Sequence, residues 1–371
     1  MSRNEPPFRA DHVGSFLRPD RLMKAVRQFR KGDIDAVEYK RVQDAAITDI
    51  VRLQESLGFK SVTDGEFRRR GWSAGFIDAV DGFGLREGAI GFQDGGNEKR
   101  AELSPYARQA LRRDRPIVVD DYVFVKSVAT SATPKATMAS PPVMHYFLGP
   151  RAVDEIVYPD IEIYFDDLAE IYRTEIAALA DAGCKYLQLD ETALPCNCDQ
   201  RFRADVLNRG EDPDHLTQRY SELINTAVKD RPANMKVAVH MCRGNLKGTW
   251  MAEGGYDPIA ECLFANTEVD AWLMEYDTDR AGDFSPLRFM PKNRIVVLGL
   301  ISTKTPELES KEFLKRRIDE ATAYVPLDRL CLSPQCGFSS APGRGQVITE
   351  DDQKRKLERV AETAIEIWGT T

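Results

Sequence analysis

An α/β fold, arranged as a single (β/α)8 TIM barrel, is what this sequence predicts, and three observations carry the prediction. Short apolar runs alternate with longer amphipathic ones, the sign of βα units and a mainly parallel sheet. No internal repeat, linker or low-complexity tract divides residues 1–371 into two bodies. The residues richest in chemistry fall at or just past the carboxyl ends of the apolar runs, the face on which such barrels carry their active sites.

Taken in order, the strands are expected near 9–15, 61–65, 135–141, 184–190, 235–242, 269–275, 294–301 and 330–335, the eight that a closed barrel needs. Between them the pattern predicts helices over 20–31, 36–57, 161–182, 214–229, 256–265 and 310–323, and a last one over 350–368. Asp20, Ser310 and Thr349 stand where an N-cap oxygen would accept a free backbone N–H, and Gly58 and Gly183 follow two helices where a left-handed terminator belongs. One stretch breaks the alternation. Residues 82–126 hold Gly82-Phe-Gly, Gly88-Ala-Ile-Gly and Asp94-Gly-Gly, followed by the β-like Pro116-Ile-Val-Val-Asp-Asp-Tyr-Val-Phe-Val. They are read as a β-hairpin inserted after the second strand, lying over one end of the barrel in the place of a lid.

Lys and Arg number 51 against 59 Asp and Glu, a net charge of −8 that gives no footing to nucleic acid or an anionic membrane. The amino terminus lacks a signal-like apolar core and no apolar stretch approaches a membrane span, so a cytoplasmic protein is expected. Seven cysteines, an odd number, then point to metal ligation or burial rather than a disulfide framework. Cys184, Cys262 and Cys331 read as small buried hydrophobes. A homo-oligomer is allowed by the helical outer faces, though no apolar stripe names an interface.

The most informative spacing is His240-Met-Cys242, at the end of the run that starts at Met235. Residues i and i+2 of a strand point to one side of the sheet, so an imidazole and a thiol stand side by side there. Two further runs end in a metal-capable side chain, Val269 to Glu275 and Leu330 to Cys336. One nitrogen, two sulfurs and a carboxylate oxygen complete a tetrahedral Zn2+ shell. The competing reading is a satisfied core histidine beside apolar thiols. Ser15, Glu66 and Asp190 fall at the same barrel end.

These residues carry a resemblance. His240-Met-Cys242, Leu273-Met-Glu275 and Pro334-Gln-Cys336-Gly resemble the zinc-binding pattern of the cobalamin-independent methionine synthase family, specifically its catalytic carboxyl-terminal barrel. The likeness runs on through Val13-Gly-Ser15-Phe, Asp64-Gly-Glu66-Phe and Leu187-Gln-Leu-Asp190-Glu191, covers nearly the whole chain and keeps the family's motif order. In wording the chain is most similar to short single-barrel bacterial members that lack the amino-terminal barrel of the full-length synthase.

The resemblance implies zinc on His240, Cys242, Glu275 and Cys336. It also implies contacts to the homocysteine carboxylate around Ser15, carboxylate partners for its ammonium at Glu66 and Asp190, and a 5-methyltetrahydrofolate donor, with methionine as product. An ammonium taken out of water needs such carboxylates. The alternative partners are Arg68 to Arg70 for Glu66, and Lys185 or Arg243 for Asp190. Where the family has a proton-delivering histidine after the seventh strand, this chain reads Ser302-Thr-Lys304, so Lys304 is either a replacement proton donor or a surface charge.

Cys196-Asn-Cys198 stands where an acidic folate contact is expected and reads as packing or mild reactivity, while Tyr146 or Phe147 either stacks on a pterin or fills core space. Asp11, His12, Arg243 and Asn245 are placed near the mouth. A different electrophile or donor is the second reading: an epoxide with coenzyme M as the thiol, or a methylcorrinoid or sulfonium compound. A non-catalytic zinc protein is the third.

Overall fold

The computed structural model describes residues 3–94, 97–339 and 347–371. Its strands are β1 (Ser61–Val62), β2 (Val80–Asp94), β3 (Asn97–Arg113), β4 (Thr133–Ala139), β5 (Tyr186–Glu191), β6 (Lys236–Met241), β7 (Ala271–Glu275), β8 (Ile295–Ile301) and β9 (Leu330–Pro334). Seven of them form a curled parallel sheet in the order β1-β4-β5-β6-β7-β8-β9, with β2 and β3 paired separately. β5, β7 and β9 are buried along their whole length, as parallel strands covered on both faces are. Helices pack outside the sheet, so that the architecture is TIM-like.

The stretch expected as strand 9–15 makes isolated parallel bridges instead, Ala10 to Leu332 on β9 and Ser15 to Gly65 beyond β1, and so lies against both edges of the sheet. A regular strand is prevented by side chains that take its carbonyls. Lys135 bonds the His12 oxygen, Gln188 Nε2 the Val13 oxygen at 2.6 Å, and Thr63 Oγ1 the Gly14 oxygen at 2.6 Å. Gly14 turns through φ +121°, where an added Cβ would stand 3.0 Å from the Thr137 methyl.

The helical expectations are met by Asp20–Lys31, Ala36–Ser56, Ile161–Asp181, Pro213–Val228, Asp257–Asn266, Lys311–Thr322 and Glu350–Trp368. Ser310 accepts from the Phe313 N–H, and Thr349 forms a reciprocal capping box with Asp352. Asp20 is a correction: Pro19 occupies the cap position and Asp20 is already the first helical residue, with no side-chain cap bond. Gly58 and Gly183 do end their helices in the left-handed region. No helix among the described residues is long and apolar enough to cross a membrane.

Residues 82–126 do not form one hairpin, a second correction. β2 and β3 pair antiparallel from Val80–Arg113 to Asp94–Asn97, whereas the β-like run that follows is a helix, Val119–Val128. Valine's preference for strands is overridden by one long-range acceptor. The Glu175 carboxylate takes the N–H groups of Ile117, Val118 and Val119 at 3.0, 2.6 and 3.2 Å, fixing the first turn, and its other oxygen pairs with Arg113 at 2.6 Å.

Glu175 therefore ties the foot of β3 to a helix start. Glu175→Ala leaves a mostly buried guanidinium and three N–H groups without their acceptor and is expected to cost about 3–5 kcal/mol in urea unfolding. A loss below about 1 kcal/mol would show that water replaces the carboxylate.

Candidate metal centre

His240 is the penultimate residue of β6 and Cys242 lies just past its end, its N–H on the Glu191 oxygen at 2.9 Å. Cys336 follows β9 in the same way, after Gln335 donates its N–H to the Ile301 oxygen at 2.9 Å. The three side chains converge: the sulfurs of Cys242 and Cys336 are 3.2 Å apart, and one ligating atom from each of His240, Cys242 and Cys336 lies within 4.8 Å of the other two. All three are buried. Two soft sulfurs and an imidazole are a donor set suited to zinc.

The register of β5 on β6 sets Asp190 beside His240, and Asp190 Oδ1 meets His240 Nδ1 at 3.1 Å while Nε2 lies 3.3 Å from the Gln335 oxygen. Both ring nitrogens thus face acceptors. Burial by itself lowers the imidazole pKa, yet Asp190 and the Cys242 sulfur raise it above the ordinary value. A metal cation at Nε2 would take the place of a proton there, with Asp190 holding the Nδ1 proton.

Glu275, at the end of β7, stands outside that 4.8 Å group. Its carboxylate is fully buried and occupied: Oε2 accepts the Arg243 N–H at 2.9 Å, and Oε1 accepts Lys304 Nζ at 3.1 Å and the Arg280 guanidinium. Burial alone would raise its pKa, but Lys304, Arg280 and Arg243 hold it well below the usual carboxylate range. Lys304 is no surface charge. It is buried beside Glu275 and 3.7 Å from Asp277, and these anions more than offset desolvation, raising its pKa above that of free lysine.

Ser15, Glu66, Asp190, His240, Cys242 and Cys336 all line one cavity of about 290 Å3. Trp72, Leu85, Phe92, Leu103 and Phe147 line the same cavity and supply an apolar wall, Leu85 and Phe92 from β2 and Leu103 from β3. Glu66 adopts φ +61°, one of two positive values among the described non-glycine residues. Its Oε1 meets Thr137 Oγ1 at 3.2 Å and Arg69 at 3.3 Å, whereas Oε2 is buried with no hydrogen-bond partner among the described residues. Burial, with Asp190 and Asp64 nearby and against the pull of Arg69, pushes its pKa up to about 7.

Of the three arginines expected as partners, Arg69 is the one that reaches Glu66; Arg68 pairs with Asp44 and Asp121, and Arg70 with Asp78. Asp190 bonds neither Lys185 nor Arg243, whose guanidinium holds the Gly254 oxygen and Tyr256. Ser15 sits close because Gly337 faces it: a Cβ there would stand 1.9 Å from Ser15 Oγ.

Asn245 lines the cavity, but Asp11 and His12 do not. They lie toward the opposite end of the sheet, bonded to Ser61, Lys135 and Tyr186 at or near the beginnings of their strands. Tyr146 is core, while Phe147 reaches the cavity. Cys196 and Cys198 are buried in the core, and burial pushes the Cys198 thiol up to about 12. Arg280 and Gln188 escaped the sequence reading. Gln188 had a signal, since it precedes Asp190 by two on the same strand face, whereas nothing local marks Arg280.

Residues 8–350 match the family described as cobalamin-independent synthase, catalytic domain. The chain is 41% identical over 367 residues to the uncharacterised Bacillus subtilis protein YxjH, covering 99% of this chain and 96% of that one. It is 26% identical to a Pyrococcus furiosus methionine synthase, over 88% of this chain and 85% of the other. A solved structure from Listeria monocytogenes, assigned as a vitamin-B12-independent methionine synthase, superposes with a TM-score of 0.79 at 35% identity over 99% of this chain and 100% of that one. The chain belongs to the cobalamin-independent methionine synthase family, an enzyme family of methyltransferases.

Glu66 gives the site a pH signature. Its folded value of about 7 stands above the ordinary 4.5, so the folded chain keeps a proton that the unfolded chain has released, and stability from this group falls as pH rises through that window. Glu66→Gln is expected to stabilise at pH 8 by on the order of 2 kcal/mol, and by little at pH 5, in urea unfolding. Equal effects at both pH values would show that Glu66 is ionised throughout.

Proposed function

We propose that this member of the family transfers a methyl group to the thiol of homocysteine to give methionine, using a zinc ion held by His240, Cys242 and Cys336 with Glu275 as the fourth ligand. The observation that carries the reading is the pairing on one cavity of a two-sulfur, one-nitrogen cluster with the partnerless Glu66 oxygen. A thiol that also bears an ammonium suits both. A sulfonate-bearing thiol such as coenzyme M does not, because Glu66 and Asp190 would repel it.

Zinc so bound would supply the positive charge that keeps a substrate thiol as its nucleophilic thiolate. The protein's own residues do the rest. Glu66 and Asp190 would receive the substrate ammonium, and Ser15 its carboxylate. Asp190 orients His240, and the apolar wall of Trp72, Leu85, Phe92 and Phe147 offers a flat donor a dry face, for which 5-methyltetrahydrofolate is the candidate. In-line attack on a methyl carbon is mainly a problem of alignment, which fixed side chains address. In this reading residues 1–371 are one (β/α)8 barrel, with 9–15 as its eighth stave and β2 and β3 across its mouth.

Lys304 acts on Glu275 rather than on the leaving group. A buried ammonium with a raised pKa between two carboxylates is a poor acid, and together with Arg280 it gives Glu275 a partner to turn to when the substrate thiol takes its place as ligand.

The chain purified without added metal is expected to contain about one equivalent of zinc, and Cys242→Ser less than about half. X-ray absorption should gain one sulfur neighbour on saturation with homocysteine; an unchanged sulfur count would contradict thiol ligation. A methionine-formation assay across methyltetrahydrofolate, methylcobalamin and sulfonium donors identifies the electrophile. Lys304→Met should free Glu275 to compete for the thiol's place, raising KM for homocysteine about tenfold with kcat little changed. A fall in kcat at constant KM would instead restore Lys304 as proton donor.

A further inference from the structure

Beneath the cavity runs a buried polar chain whose inner members, Asp11, Lys135 and Gln188, the reading above does not use. Lys135 Nζ lies 2.9 Å from Asp11 Oδ1 and 3.1 Å from Gln188 Oε1, and also bonds the His12 oxygen. Asp11 accepts further bonds from Tyr186 OH at 2.6 Å, Ser61 Oγ at 3.2 Å and its neighbour's N–H at 2.8 Å. Gln188 Nε2 then reaches the Val13 oxygen at 2.6 Å and Asp190 Oδ1 at 2.7 Å. The same Asp190 oxygen meets His240 Nδ1 at 3.1 Å. Gln188 has no solvent exposure.

The donors and acceptors leave the glutamine amide one orientation. A lysine ammonium has donors alone, so it must face Oε1; a carboxylate and a backbone carbonyl have acceptors alone, so they must face Nε2. The amide cannot flip without setting like against like at three contacts. Asp190 Oδ1 is thereby committed to two donors. Its Oδ2 has no partner among the described residues, and Asp190 lines the cavity.

We propose that Gln188, braced by Lys135, is a positioning residue that locks the Asp190 carboxylate so that Oδ1 serves His240 while Oδ2 is presented to the ammonium of the substrate. The proposal rests on the homocysteine reading for the identity of that ammonium. It makes one carboxylate the link between the metal-ligating imidazole and the amino group of the thiol substrate. Without Gln188 the carboxylate is free to rotate, and neither partner has its oxygen in a fixed place.

The test uses the full chain and two readouts. Zinc affinity is measured by competition with a chromophoric chelator. Binding of homocysteine and of 4-mercaptobutyrate, the same thiol acid without the amino group, is measured by calorimetry on zinc-saturated protein. Gln188→Met is expected to weaken zinc about tenfold, as loss of support behind a ligating histidine does. It should also lower the preference for homocysteine over 4-mercaptobutyrate by about tenfold, through a loosened charge-assisted contact, with 4-mercaptobutyrate itself bound as in wild type.

A purely structural glutamine would change stability and leave that preference alone. A folded Gln188→Met chain with wild-type zinc affinity and wild-type preference overturns the proposal. Should Gln188→Met not fold, Gln188→Glu keeps a partner for Lys135 while setting a second carboxylate against Asp190, and the same two readouts decide. A wild-type chain that holds zinc and binds neither thiol sinks the homocysteine reading, and the zinc readout still decides the role of Gln188.

Discussion

The contact on which the rest of this site depends is the one between Asp190 and His240, made because the parallel register of β5 on β6 pairs those two residues directly. A one-residue slip would turn both side chains to the other face. Everything near the cluster is arranged from that pair outward: Cys242 two residues on from His240, Gln188 two residues back from Asp190, and Gln335 with its carbonyl at the far ring nitrogen. The site is precise because its members stand on buried strands or within two residues of their ends, where side chains have little room to shift.

Charge is the second constraint. Glu275, Asp277 and two thiols crowd a buried volume, and Lys304, Arg280 and Arg243 balance the carboxylates. A buried carboxylate with no cation would give up its charge by taking a proton. Glu275 keeps its charge because two side-chain cations and a backbone N–H converge on it. Lys304, expected as a replacement proton donor or a surface charge, is buried among these groups, against Glu275 and Asp277.

Glu66 shows the cost of readiness. It combines a left-handed backbone, an oxygen with no partner and a pKa near 7 at the edge of the cavity. Each feature is unfavourable for the folded chain alone, and together they fit the role proposed for Glu66 as partner of a ligand cation. Asp64 takes its N–H at 2.8 Å and Arg18 its carbonyl at 2.8 Å, holding the conformation that Glu66 would not choose by itself.

Periodicity along the chain was enough to place seven long helices, most of the sheet and the barrel end at which Ser15, Glu66, Asp190, His240, Cys242 and Cys336 meet, since the direction of a side chain on a strand alternates residue by residue and is a local property. What the local pattern does not encode is which of several distant partners a polar group finds. Glu175 makes a helix of a valine-rich run 56 residues before it; Lys135, Gln188 and Thr63 take the carbonyls that would have made 9–15 a strand; and Lys304 and Arg280 claim Glu275. These outcomes belong to the tertiary structure because a buried donor or acceptor must be satisfied by whatever the fold brings within about 3 Å of it, and distance along the chain says nothing about that choice.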